Sequence, residues 1–75
     1  MILPNKYLEA NRSLLGVGGV LLQHLDSPRS VTALWNRVRA LAETGTFERF
    51  SLSLDFLYAI GMVELEDGLL RRCRQ

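Results

Sequence analysis

Met62-Val63-Glu64-Leu65-Glu66-Asp67-Gly68-Leu69-Leu70-Arg71-Arg72-Cys73 alternates apolar and acidic residues up to an Asp-Gly step, then returns through leucines and arginines. Asp-Gly between two short runs is a strong signal for a two-residue hairpin, because both central residues of the turn need φ > 0. With the turn at 67–68, Leu65 falls opposite Leu70 and Glu64 opposite Arg71. An apolar pair then occupies one face and a charge pair the other. The register is self-consistent, and the rest of the chain is read outward from it.

Upstream of the hairpin, the spacing predicts a helix over Phe47 to Ile60, with Thr46 as its cap and Gly61 at its end. Phe47, Phe50, Leu54, Leu57 and Tyr58 form one face, assigned to the core. Leu52, Phe56 and Ile60 form a second stripe at i, i+4, i+8. A surface helix of a small domain normally carries one apolar stripe, and this one has two. A second helix follows Ser30, with Val31, Leu34, Trp35, Val38 and Leu41 at helical period and Gly45 as its C-terminal cap. Asp26-Ser27-Pro28 is a turn. A first helix begins near Asn11 or Ser13 and runs to about Leu25. Its Gly16, Gly18 and Gly19 each cost roughly 1 kcal/mol relative to alanine. Another backbone packed closely on that face would offset the cost. Pro4 blocks an earlier helical start and biases Leu3 toward extended geometry.

The order of elements predicts an α+β fold, mostly α. It is winged helix-turn-helix-like, with three helices plus a C-terminal β-hairpin wing. Residues 1–10 are expected to form an extended N-terminal arm, and residues 11–75 the domain.

Seventy-five residues suit one domain with a marginal core and no deep cleft. Yet 48% of residues are hydrophobic and 23% charged, so some apolar surface is expected to wait for a partner. A net charge of +1 gives no global electrostatic case for nucleic acid, membrane or acidic ligands. The single cysteine, Cys73, fits a reducing compartment. Leu14 to Leu22 is too short to span a bilayer, and Met1 to Lys6 does not read as a signal peptide. A cytoplasmic location is expected.

No constellation of residues supports catalysis, a cofactor or a metal. Gly16-Val17-Gly18-Gly19 lacks the Lys-Ser/Thr and the preceding strand of a nucleotide loop. His24, the only histidine, has no nucleophile at helical spacing. Cys73 sits among arginines but without a paired base. Glu64, Glu66 and Asp67 are too few ligands for a cation. The chain is therefore expected not to be an enzyme and to bind no cofactor.

The outside of the third helix separates the remaining readings. Its non-core positions are Glu48, Arg49, Ser51, Leu52, Ser53, Asp55, Phe56 and Ala59, one base against two acids. DNA-reading helices present Arg, Lys, Asn or Gln to base edges, and phosphate repels carboxylates. The surface suits a protein partner better than a duplex. A DNA-binding winged-helix transcriptional regulator is the alternative. Arg71, Arg72 and Arg74 are candidate nucleic-acid contacts, or else a solvated, salt-bridged tail.

Four stretches carry a family resemblance: Met1 to Lys6, Leu14 to Gly18, Ser30 to Trp35, and the long run Leu54 to Arg72. On these the chain resembles the middle component 6 family of bacterial ABC-three-component systems. The resemblance implies a small adaptor that bridges an SMC-like ABC ATPase and an effector-bearing subunit in an antiphage defence complex, overlapping with Lamassu-type systems. DNA contact would then come only through the assembled complex, and no membrane is involved. No catalytic motif is implied. Residue reading and resemblance together make Leu52, Phe56 and Ile60 the candidate partner face, with Ile2 and Leu3 pinning the arm to a partner's sheet edge or groove. The bland alternatives are a stripe packed inward on the first helix, and an arm folded back as a third wing strand.

Overall fold

The computed structural model describes residues 5–73, with side chains described over 14–73. Three helices, α1 (Asn5–Gln23), α2 (Val31–Val38) and α3 (Phe47–Ala59), precede strands β1 (Val63–Glu66) and β2 (Leu69–Arg72). The strands form an antiparallel hairpin, giving a mostly helical, winged-helix-like α+β fold.

The hairpin has the expected register, with Leu65 opposite Leu70 and Glu64 opposite Arg71. Asp67 (φ 55°) and Gly68 (φ 77°) both occupy the left-handed region that a type I′ turn requires. Val63 and Leu70 are buried, whereas Leu65, on the same rung as Leu70, is exposed. That rung is therefore buried on its β2 side and open on its β1 side. A further rung comes from Arg29, whose N–H donates to the Leu70 carbonyl at 3.0 Å and whose carbonyl accepts from the Leu70 N–H at 2.6 Å. Part of the α1–α2 connector thus supplies the third strand position of the wing.

Helix ends follow from local chemistry. The hydroxyl of Ser30 accepts from the Ala33 N–H at 3.0 Å and starts α2; that of Thr46 accepts from the Arg49 N–H at 3.1 Å and starts α3. α3 closes in a Schellman motif. The Met62 N–H donates to the Leu57 carbonyl and the Gly61 N–H to the Tyr58 carbonyl, with Gly61 at φ 80°. At the end of α1 the Arg29 Nε donates to the His24 carbonyl at 2.9 Å.

One core joins every element: Val17, Leu21 and Leu25 from α1 and the residues after it, Leu34 and Val38 from α2, Phe50 and Leu57 from α3, and Val63 and Leu70 from the hairpin. Trp35 packs on Phe50 and Phe47 at ring-centroid distances of 5.1 and 5.0 Å, closing the α2–α3 corner.

The structure corrects several boundaries. α1 begins at Asn5, not at Asn11 or Ser13, so residues 5–10 are helical where an extended arm was expected. A proline directly before a helix costs it nothing, since the first N–H groups have no intrahelical partner, and Leu8, Glu9 and Ala10 are good helix formers. Residues 1–4 of the expected arm, with Ile2 and Leu3, lie outside the described residues. α2 ends at Val38 rather than near Gly45. Beyond it the bonding tightens to i→i−3 turns, Leu41 N–H to Val38 and Thr44 N–H to Leu41, which fold Leu41 and the buried Thr44 back before Gly45 turns at φ 75°.

The glycines of α1 also behave differently from expectation. Among the described residues no backbone atom outside α1 lies within 4 Å of where their Cβ atoms would be. A Cβ on Gly18 would lie 3.2 Å from Cδ2 of Leu57, so it is this side chain that fills the space, while Gly16 and Gly19 face open space. On α3, Phe50 and Leu57 are buried and Leu54 half-buried, but Phe47 and Tyr58, assigned to the core, are 52% and 62% exposed. Ser53 is buried in their place, so the inward face is centred on Phe50, Ser53 and Leu57.

Candidate partner-binding surface

α3 crosses α1 with its Phe50–Ser53–Leu57 face inward, so its opposite side points away from the body. Leu52, towards that side, is 52% exposed; the stripe then winds to the flank of the helix, where Phe56 is half-buried and Ile60, the C-cap, is 52% exposed. Spacing of four residues places these side chains in one continuous row along the helix. Glu48, Asp55 and Ala59 are exposed beside it. Neither Glu48 nor Asp55 has an ion-pair partner among the described residues.

Apolar exposure is not confined to that row. Among the described residues eight large hydrophobic side chains are exposed, including Leu15 on α1, Val31 and Phe47 beside Trp35, and Leu65 and Leu69 on the wing. Leu15 and the open Gly19 are four residues apart on α1 and give it an apolar outer strip.

The wing does not form a basic platform. Arg71 lies 2.8 Å from Glu64 and 3.2 Å from Glu66, and its Nε also donates to Glu64 at 2.9 Å. Both carboxylates and that hydrogen bond hold the Arg71 guanidinium even more firmly protonated than usual. From Val63 to Arg72 the hairpin holds three acids against two arginines. Arg72 is exposed, and Arg74 lies outside the described residues.

A cleft between the α1–α2 connector and β2 is lined by Leu25, Asp26, Ser27, Pro28, Arg71, Arg72 and Cys73. Its one carboxylate, Asp26, accepts a hydrogen bond from Arg29 at 2.9 Å, which holds its pKa below the usual carboxylate value. Neither Ser27 nor Cys73 has a base hydrogen-bonded to it among the described residues. No group of three or more His, Cys, Asp or Glu side chains is placed there to hold a metal, and no described helix is long and apolar enough to cross a membrane.

The sequence features that matter therefore separate into two sets. Leu52, Phe56 and Ile60 share one row, while Arg71 is drawn into the wing's own ion pairs. No curated protein and no solved structure matches this chain. The model of one protein family, ABC-three component (ABC-3C) system Middle Component 6, matches residues 3–73, and the chain belongs to that family.

Proposed function

We propose that this chain is a small non-enzymatic adaptor, bridging an SMC-like ABC ATPase and an effector-bearing subunit in a bacterial antiphage defence complex of Lamassu type in the cytoplasm. The observation that carries the reading is the Leu52–Phe56–Ile60 row, with Leu52 and Ile60 exposed and Phe56 half-buried, on the element that, in a winged helix, usually meets the target. A domain this small has little apolar area to spare, and leaving such residues in water is the mark of a surface that is covered in an assembly. Membership of a middle-component family supplies the kind of assembly.

Leu52, Phe56 and Ile60 form the docking face in this proposal, with Ile2 and Leu3 as a second contact. DNA is touched only by the whole complex, with Arg71, Arg72 and Arg74 as candidate contacts. Glu48 and Asp55 on the outside of α3 would face phosphate in a DNA-bound winged helix, so no observation favours the regulator reading.

The test is co-expression of the tagged chain with the genes adjacent to its own. A large ABC ATPase recovered in stoichiometric amount with the wild type, and lost with Phe56→Asp, supports the adaptor. A chain that emerges alone and bound to nucleic acid would sink it.

A further inference from the structure

We propose that the element seated on the outer face of α3 is an amphipathic helix of a partner polypeptide, with apolar side chains along its centre and Lys or Arg along the rim that meets Glu48 and Asp55. The proposal rests on the adaptor reading and specifies the chemistry of its partner.

Glu48 and Asp55 are seven residues apart, two turns of α3, so they lie along one line of the helix. Leu52 is four residues beyond Glu48 and three before Asp55, adjacent to both. The apolar row is thus edged on one side by two exposed carboxylates that the described residues leave without ion pairs. Arg49, next to Glu48 in the chain, lies back over the α2–α3 connector, with its Nη1 3.1 Å from where a Cβ of Gly45 would be. An occupant that covers Leu52 must come close to both carboxylates, and a cationic rim is what offsets their desolvation.

The shape of the row points to a helix. Leu52, Phe56 and Ile60 make an i±4 ridge, which fits the groove between corresponding ridges of another helix at an angle of about −50°. A helix satisfies its own backbone hydrogen bonds, whereas an extended segment laid on a helix face leaves its N–H and C=O groups unpaired. A second copy of this chain fits poorly. In an antiparallel two-fold pairing of α3 with itself, the Glu48–Asp55 line meets its own equivalent, acid against acid.

The experiment uses the full chain co-expressed with the other components of its system. A photo-crosslinking amino acid replaces Leu52, and the crosslinked segment is mapped by mass spectrometry. In parallel the affinity of the purified partner is measured for wild type, for Glu48→Lys/Asp55→Lys, and for Glu48→Gln/Asp55→Asn. The neutral pair leaves the fold least disturbed, and circular dichroism confirms that both variants are helical. The expected crosslink falls in a partner stretch with apolar residues three or four apart and Lys or Arg beside them. The lysine pair is expected to weaken binding about tenfold or more at low salt and far less at 0.5 M salt, with the neutral pair in between. A crosslink to a second copy, to nucleic acid or to a stretch without basic residues overturns the proposal, as does an affinity that ignores both variants. A complex that forms with Leu52 uncrosslinked to the partner removes this proposal alone. If no component co-purifies at all, the adaptor reading falls and this proposal with it.

Discussion

Replacing the three α1 glycines by alanine one at a time separates helix propensity from packing. In a helix interior each Gly→Ala change is worth roughly 1 kcal/mol in favour of the helix. At Gly16 and Gly19 nothing lies within 4 Å of the new methyl, so the whole gain is kept. At Gly18 the methyl arrives 3.2, 3.5 and 3.8 Å from Cδ2, Cγ and Cδ1 of Leu57, a side chain only 4% exposed and held by the rest of the core. Overpacking at such a site costs about 1–3 kcal/mol. Gly16→Ala and Gly19→Ala should therefore each stabilise by about 1 kcal/mol, while Gly18→Ala should be between neutral and about 2 kcal/mol destabilising. Against a total stability of about 4–11 kcal/mol for a chain this size, those shifts are easily read. Urea unfolding followed by the fluorescence of Trp35, which packs on Phe47 and Phe50, supplies the assay. The midpoint should rise by about 0.5–1 M for Gly16→Ala and Gly19→Ala with an unchanged slope. A Gly18→Ala midpoint as high as that of Gly19→Ala would refute the close approach of α1 to Leu57.

Three further outcomes follow from particular residues. Ser53 is fully buried with no hydrogen-bond partner for its hydroxyl among the described residues, so Ser53→Ala should leave stability unchanged or raise it by about 1–2 kcal/mol in the same urea assay. Gly68 holds φ 77° in the wing turn, so Gly68→Ala should cost about 1 kcal/mol and loosen amide-exchange protection across β1 and β2 first. The Arg29 hydrogen bond keeps the Asp26 pKa below its unfolded value. That pair's small contribution is present above the unfolded pKa, near pH 4, and lost as pH falls through the folded one. Asp26→Asn should thus flatten the acid side of the melting-temperature profile, lying slightly below wild type at neutral pH and converging with it at low pH.

The legibility of this chain in its sequence varied with how local the deciding physics is. The hairpin was readable to the residue, because Asp67-Gly68 sets the turn and the turn sets the register. The Ser30 and Thr46 caps and the Gly61 stop are likewise properties of three or four neighbouring residues. Spacing showed the Leu52–Phe56–Ile60 stripe but left open which way it turned; Leu52 and Ile60 are exposed and Phe56 is half-buried. What spacing does not give is which of two apolar faces of α3 turns inward by how much. Phe47 and Tyr58 lost their core places to Ser53, because the contact with α1 is centred on Leu57 over Gly18. α2 ends at Val38 and Thr44 is buried beyond it, a tertiary arrangement that the good helix formers of Ala40 to Glu43 do not announce. The Arg29–Leu70 rung joins positions 41 apart through a single residue, too short a pattern to read as a strand. On the functional side, the Arg71 side chain was legible as the partner of Glu64.

The central claim, that the outer face of α3 is where this domain docks, is most directly tested by hydrogen–deuterium exchange of the free chain and of the chain assembled with its system's other components. The account predicts added protection over Leu52 to Ile60, with little change across Val63 to Arg72. Protection confined to the wing, with α3 exchanging as it does in the free chain, would contradict it.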